Sequence, residues 1–234
     1  MGQLVQKPLV YAVHGFFGVA ADWDRVSADL PGYEFIGEEL FSHRPHNGTG
    51  NLTSTLAKTD RKKIFLGYSL GGRLGLRMLK SNPGQFDHYI FLSTHPGLTD
   101  QLSREQRIDS DEQWAAKINH ENWQTLLKAW NAQAVFEGSG PEPVRNVSDY
   151  DLAKLRRALM EWSLGRQDDY SELIREHRQK LTWAVGDRDL KFCKIADDLK
   201  NKKILSDFER IPSGHRIWLD QPKAIVELIK KMGL

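Results

Sequence analysis

A serine hydroxyl does little at neutral pH unless a backbone turn exposes it and a base stands beside it. Ser69 has the first of these conditions in its local sequence. Gly67-Tyr68-Ser69-Leu70-Gly71 sits between an apolar run, Lys63 to Leu66, and a helical pattern that begins near Gly71. That is the G-x-S-x-G pattern in a strand–turn–helix setting, where a tight elbow lifts the hydroxyl above a sheet and the glycines keep side chains out of the turn. A glycine-rich turn that merely contains serine is the competing reading, so a base and an acid must be found elsewhere. His215, in Pro212-Ser213-Gly214-His215, supplies a base, and Val185-Gly186-Asp187-Arg188-Asp189 supplies two aspartates in one short turn. Asp189 is the candidate acid and Asp187 its competitor. Two backbone N–H groups are also needed to hold a developing oxyanion. Leu70, next after the serine, offers one, and Phe16 in His14-Gly15-Phe16-Phe17-Gly18 offers the other. His14 reads better as a residue that fixes this loop by hydrogen bonding than as the base.

The elements that must hold these residues follow from the hydrophobic pattern. Short apolar runs at Pro8 to Val13, Glu34 to Leu40, Lys63 to Tyr68 and His88 to Ser93 read as buried strands. Helical spacing appears between them, at Ala21 to Leu30, Asn51 to Ala57 and Gly72 to Lys80. Such alternation implies a parallel sheet with helices on both faces. From Leu98 onward the strand signal stops, and Trp114, Ile118, Trp123, Leu126, Leu127 and Trp130 recur at helical intervals. Strands resume at Leu181 to Val185 and near Ile204 to Ile211, and an amphipathic helix covers Pro222 to Met232. The expected architecture is an α/β-hydrolase fold: a mostly parallel sheet with flanking helices, residues 1–97 and 180–234 as core and residues 98–179 as a helical cap. The chain order serine, acid, histidine is that of this fold.

Bulk composition narrows the partners. The chain has 234 residues, with 33 Lys and Arg against 31 Asp and Glu, so it carries no basic footprint for nucleic acid or an anionic membrane. The single cysteine, Cys193, leaves no internal disulfide and no multi-cysteine metal site, and it reads as a small buried filler. His43 and His46 lie in a polar stretch, His43 to Gly48, without a nearby ligand cluster, so a loop is expected there and no metal. No apolar run approaches the roughly 18 residues of a membrane span, and Met1 to Lys7 lacks a signal-peptide pattern. A cytoplasmic protein without cofactor is expected.

Several segments together resemble a specific family. His14-Gly15-Phe16, Gly67-Tyr68-Ser69-Leu70-Gly71-Gly72-Arg73 and His95-Pro96-Gly97-Leu98 look like 2-succinyl-6-hydroxy-2,4-cyclohexadiene-1-carboxylate synthases of menaquinone biosynthesis. The likeness continues through Arg104 to Arg107, Ser110 to Ala115, Trp130 with Phe136, Ser163 to Gln167 and Gly186 to Phe192, and so spans nearly everything from Leu9 onward. The family pattern implies Asp189 as the triad acid and leaves Asp187 outside. It also implies substrate-binding roles for Tyr68, Arg73, Arg107, Trp130 and Arg156. Arg157 and Arg166 keep a structural reading, and Trp114, Trp123 and Trp162 read as packing residues. Two departures stand out: the strand pair that usually leads this fold is shortened or missing, and Phe41 to Gly50 lacks the usual Gly-x-Gly-x-Ser turn.

The resemblance implies elimination of pyruvate from an enolpyruvyl cyclohexene carrying three carboxylates, a reaction that consumes no water. Such a substrate calls for fixed cations, and arginine suits the task because its planar fork pairs bidentately with carboxylate. Arg73 lies one helical turn beyond Ser69, so both can face one pocket. The rival readings are a serine carboxylesterase or carbon–carbon bond hydrolase with Ser69 as covalent nucleophile, and, against the intact triad, a binding protein without catalysis.

Overall fold

The computed structural model describes residues 6–42 and 61–232. The expected polar loop at His43 to Gly48 and helix at Asn51 to Ala57 lie outside the described residues, as does most of Phe41 to Gly50. Among the described residues six parallel strands form one sheet: β1 (Leu9–Val13), β2 (Glu34–Glu38), β3 (Lys63–Tyr68), β4 (His88–Leu92), β5 (Leu181–Gly186) and β6 (Glu209–Ile211), in the order β2-β1-β3-β4-β5-β6. The helices are α1 (Asp24–Ala28), α2 (Leu70–Ser81), α3 (Gln101–Lys117), α4 (Trp123–Asn131), α5 (Leu152–Glu161), α6 (Ser171–His177), α7 (Leu190–Asn201), α8 (Ile217–Asp220) and α9 (Pro222–Lys231).

Strand side chains alternate between two cores, as a sheet covered on both faces requires. Leu9, Tyr11, Val13, Phe65, Phe91, Trp183 and Val185 face Leu76 and Leu79 of α2 and Phe192, Ala196 and Leu199 of α7. Val10, Ala12, Ile64, Leu66, Ile90, Leu92 and Ala184 face Val26 of α1 and Ile225, Val226 and Ile229 of α9. A third cluster joins Phe17, Phe41 and Leu70 to the helices between β4 and β5, through Trp123, Leu126, Leu127, Leu155 and Leu159. The helical segment is thereby seated on the loops after β1 and β2 and on the residue that follows the serine.

Three elements differ from the sequence expectation, each for a local reason. The pattern at Ala21 to Leu30 divides into a 3-10 turn, Ala20–Trp23, and the short α1. Strand β2 ends at Glu38 because the next groups leave the ladder: Leu40 N–H donates to His14 Nε2 and Ala20 N–H to Glu39. The run from Ile204 yields only Glu209–Ile211 as strand, since Ile204 and Leu205 N–H both fold back onto Leu199 O beyond Lys203, which has φ of +57°. No described helix is long and apolar enough to cross a membrane.

Candidate active site

The parallel sheet delivers its chemistry at the carboxyl ends of the strands, where the loops after β1, β3, β5 and β6 meet. Ser69 follows β3 directly and adopts φ +50°, ψ −107°, a strained geometry for a residue with a side chain. Its amide donates to Leu92 O and its carbonyl accepts from Arg73 N–H, which fixes the elbow from both sides. The neighbouring glycines are required by close approach. A Cβ on Gly71 would lie 2.1 Å from Val13 O, and one on Gly67 would lie 2.6 Å from the Gly72 Cα. Gly71→Ala is therefore expected to cost about 3 kcal/mol or more, because the obstacle is backbone and cannot rotate aside. Urea unfolding would measure it, and a midpoint equal to that of the unmodified protein would show that the elbow tolerates a Cβ.

Asp189 and His215 are brought together by the pressed turns after β5 and β6. A Cβ on Gly186 would fall 2.1 Å from Gly214 O, so the two loops nearly touch. Asp189 caps α7 through Phe192 N–H, and its Oδ2 lies 2.6 Å from His215 Nδ1. The other ring nitrogen, Nε2, lies 3.3 Å from Ser69 Oγ. All of this except the serine is buried, and Phe192 (4.7 Å between ring centroids) and Tyr68 (5.3 Å) hold the imidazole in place. Asp187 points elsewhere: its Oδ1 accepts from Ser213 N–H and it is exposed.

The two candidate oxyanion donors come from different loops. Leu70 begins α2, where the first N–H groups have no intrahelical acceptor, and Phe16 lines the cavity beside Ser69. His14 is buried next to this loop, with Nδ1 at 2.8 Å from Gly15 O and Nε2 accepting from Leu40 N–H. A Cβ on Gly18 would strike its ring at 2.8 Å. The histidine thus holds the loop's shape from behind.

Ser69 and Trp130 stand where two lobes of the cavity meet. One lobe, about 580 Å³, is lined by Arg73, His95, Arg107, Asp111, Trp162, Lys191 and Phe192. Its charge is three cations against one carboxylate. Arg73 Nη1 donates to Trp162 O and Gln167 Oε1, which anchors one nitrogen of a group with five N–H donors. Burial, then the Arg107 charge, push its pKa down to about 9. Arg107 is aimed by the buried Asp111, both of whose oxygens accept from Nε at 2.9 Å. Desolvation and Arg107 also lower Lys191. His95 is pushed down to about 3 by burial and then by Lys191, Arg73 and Arg107, so it is a neutral imidazole here. Cations destabilised by burial and by one another, with too few carboxylates between them, form a site that an anion relieves.

The second lobe, about 480 Å³, holds Tyr68, Trp130, Phe136 and Trp218 with Asp22, Glu142, Arg145 and Arg216. Here two acids match two arginines. Burial raises the Tyr68 phenol well above its ordinary range.

Among the residues named from sequence, Ser69, Asp189, His215, Phe16, Leu70, Tyr68, Arg73, Arg107 and Trp130 come together around this cavity. Arg156 does not. It is exposed on α5, donates to Ile118 O, and lines neither lobe, because its helix turns Leu155, Ala158 and Leu159 inward instead. Two tryptophans assigned to packing also reach the site, Trp162 lining the cationic lobe and Trp114 lining the adjoining space beside Ser69, Trp130 and His215, while Trp123 is buried in the helical cluster. Sequence reasoning gave no role to His95, Asp111, Lys191, Asp22, Glu142, Arg145 or Arg216. Lys191, two residues beyond Asp189 in the first turn of α7, had a usable positional signal. Asp111 had one too, four residues beyond Arg107 on the same helix, whereas Asp22, Glu142 and Arg145 had none.

A parallel sheet, a strained serine elbow between β3 and α2, and an acid–histidine pair on the last two strand loops define a class. The chain belongs to the alpha/beta hydrolase family, whose pattern it matches over residues 10–228, and it is an enzyme. Within that family, it is 29% identical to the 2-succinyl-6-hydroxy-2,4-cyclohexadiene-1-carboxylate synthase of Enterobacter sp. (strain 638), covering 96% of this chain and 91% of that one. The synthase of the same name from Escherichia coli O1:K1 / APEC is 28% identical over 94% of this chain and 91% of its own. In fold, the chain is similar to MenH from S. aureus, with a TM-score of 0.83 at 18% identity, covering 98% of this chain and 94% of that one. A thermophilic esterase from Thermogutta terrifontis shares the architecture less closely, with a TM-score of 0.63 at 16% identity over 97% of this chain and 89% of its own.

Proposed function

We propose that this enzyme is a carbon–oxygen lyase that eliminates pyruvate from 2-succinyl-5-enolpyruvyl-6-hydroxy-3-cyclohexene-1-carboxylate, giving 2-succinyl-6-hydroxy-2,4-cyclohexadiene-1-carboxylate in menaquinone biosynthesis. The observation that carries the reading is the concentration of Arg73, Arg107 and Lys191 in one lobe beside Ser69. A substrate with three carboxylates suits such a lobe, and a neutral ester does not. The named relatives, similar over nearly the whole chain, support the same reading. Residues 98–179 act in it as a cap over a core of residues 1–97 and 180–234, contributing Arg107 and Trp130 to the cavity.

His215 accepts the Ser69 proton, oriented by Asp189, and the serine oxygen removes the ring proton next to the succinyl ketone. The electron pair of that C–H bond moves toward the ketone oxygen, where the Phe16 and Leu70 N–H groups stabilise it. Charge then passes through the ring double bond, the C–O bond to the enolpyruvyl group breaks, and the departing enolate takes a proton to become pyruvate. Water takes no part.

Supplying the enolpyruvyl cyclohexene and measuring pyruvate release beside hydrolysis of an aryl ester tests the reading. Pyruvate release is expected to exceed ester turnover by orders of magnitude, and the reverse ratio would reject elimination in favour of an esterase. A serine that acts as base forms no covalent intermediate, whereas an esterase accumulates an acyl-enzyme. Mass spectrometry of enzyme quenched during turnover is expected to find Ser69 unmodified. An adduct that forms and decays at the catalytic rate would assign it to covalent catalysis.

A further inference from the structure

The charged groups of the second lobe form a continuous chain of ion pairs. Arg145 makes a bidentate pair with Asp22, at 2.8 and 2.9 Å, and also bonds Glu142 at 2.5 Å. Glu142 in turn holds Arg216 through Nε at 2.6 Å, and Arg216 Nη2 reaches Asn131 Oδ1. The signs alternate along the chain of contacts and sum to zero, and no member's side chain is more than 14% exposed. Burying four charges is costly unless each is paired, so removing one leaves an uncompensated neighbour in a desolvated site.

The network ends beside the imidazole. Arg216 directly follows His215, and its guanidinium lies 4.0 Å from the centre of the Phe136 ring, which meets the His215 ring edge-on at 5.7 Å. The backbone of the same loop is tied to the helical segment as well. Arg216 N–H donates to Ser139 Oγ, while Gly140 and Gly214 N–H share the two oxygens of Asp220. Residues 136–145 therefore form a strap against the histidine loop, and Asp22 and Arg145 anchor its far end to the loop after β1.

We propose that Asp22, Arg145, Glu142 and Arg216 are positioning residues that hold the His215 imidazole in line between Asp189 and Ser69. None touches the reacting atoms. Their contribution is the aim of the proton-transferring nitrogen, and displacement of a catalytic group by about 1 Å can cost on the order of a hundredfold in rate. The proposal rests on Ser69 and His215 doing the chemistry, whichever reaction that is.

Glu142→Gln tests it, because it breaks the alternation with minimal change of shape. Turnover of the enolpyruvyl substrate, and of an aryl ester where it is hydrolysed, is expected to fall about ten- to a hundredfold in kcat with KM within about twofold. The downfield proton resonance of the His215–Asp189 hydrogen bond should shift or broaden in the resting protein, and this readout needs no substrate. Failure of the elimination reading would therefore leave the test intact. Arg216→Lys, a milder change that keeps the charge but loses the Nε contact to Glu142 and the Nη2 contact to Asn131, should lower kcat about fivefold with the same spectral effect, and it decides the matter if Glu142→Gln fails to fold. Unchanged kcat in a folded variant, a loss confined to KM, or a fall in kcat with the His215 proton undisturbed would each overturn the proposal.

Discussion

Ser69→Ala, His215→Ala and Asp189→Asn are each expected to reduce turnover of the natural substrate by about 10⁴-fold or more. The serine and histidine carry the proton, and without either the remaining groups can only bind and polarise. Asp189→Asn keeps the shape but presents an amide to the 2.6 Å contact at His215 Nδ1, which favours the wrong tautomer and withdraws the charge that supports imidazolium. Asp187→Asn is the control. That carboxylate bonds Ser213 N–H and stands exposed, so the change should cost less than about tenfold. Circular dichroism and melting curves must accompany the kinetics, since Asp189 also caps α7. A crippled Asp187→Asn enzyme beside a nearly normal Asp189→Asn enzyme would show that the acid has been assigned to the wrong member of the turn.

The second large effect is expected at the cationic lobe. Truncating Arg73 or Arg107 should weaken reaction of the tricarboxylate far more than reaction of a neutral ester, because only the former has charges to lose contact with. Loss of one desolvated charge-assisted pair costs about 2 to 5 kcal/mol, roughly thirtyfold or more in kcat/KM. Arg73→Lys should recover part of this, since an ammonium keeps the charge but has no second terminal nitrogen to pair bidentately with a carboxylate while the first is held by Trp162 O and Gln167 Oε1. Arg156→Ala should act on both substrates alike and weakly, because the side chain caps Ile118 O outside the cavity. Equal losses on charged and neutral substrates in folded Arg73 and Arg107 variants would sink carboxylate recognition, and with it the main support for elimination.

Much of the site was legible because it depends on local chain geometry. The elbow needs glycine where an added Cβ would lie 2.1 Å (Gly71) or 2.6 Å (Gly67) from another stretch of backbone, so these two glycines mark it in sequence. The continuous apolar runs of β1, β3, β4 and β5 report a sheet buried on both faces, and the order of serine, acid and histidine reports which strand loops carry them. Helical spacing put Arg73 one turn from Ser69, and the family resemblance gave it a substrate-binding role. Such features are set within a few residues or by chain order, and the sequence by itself determined them.

The tertiary structure decided the rest, since it depends on how separate elements meet. Arg107 and Arg156 read as equivalent in sequence, but α3 turns Arg107 toward Asp111 and the cavity while α5 turns Arg156 outward. The neutral state of His95 arises only where burial and three cations converge from α2, α3 and α7. Asp22, Glu142, Arg145 and Arg216 lie up to 194 residues apart in number, and no periodicity or motif connects them. What joins them is desolvation: a charge enclosed on packing must find its counter-charge in space, and which residue supplies it depends on the fold, not on its distance along the chain.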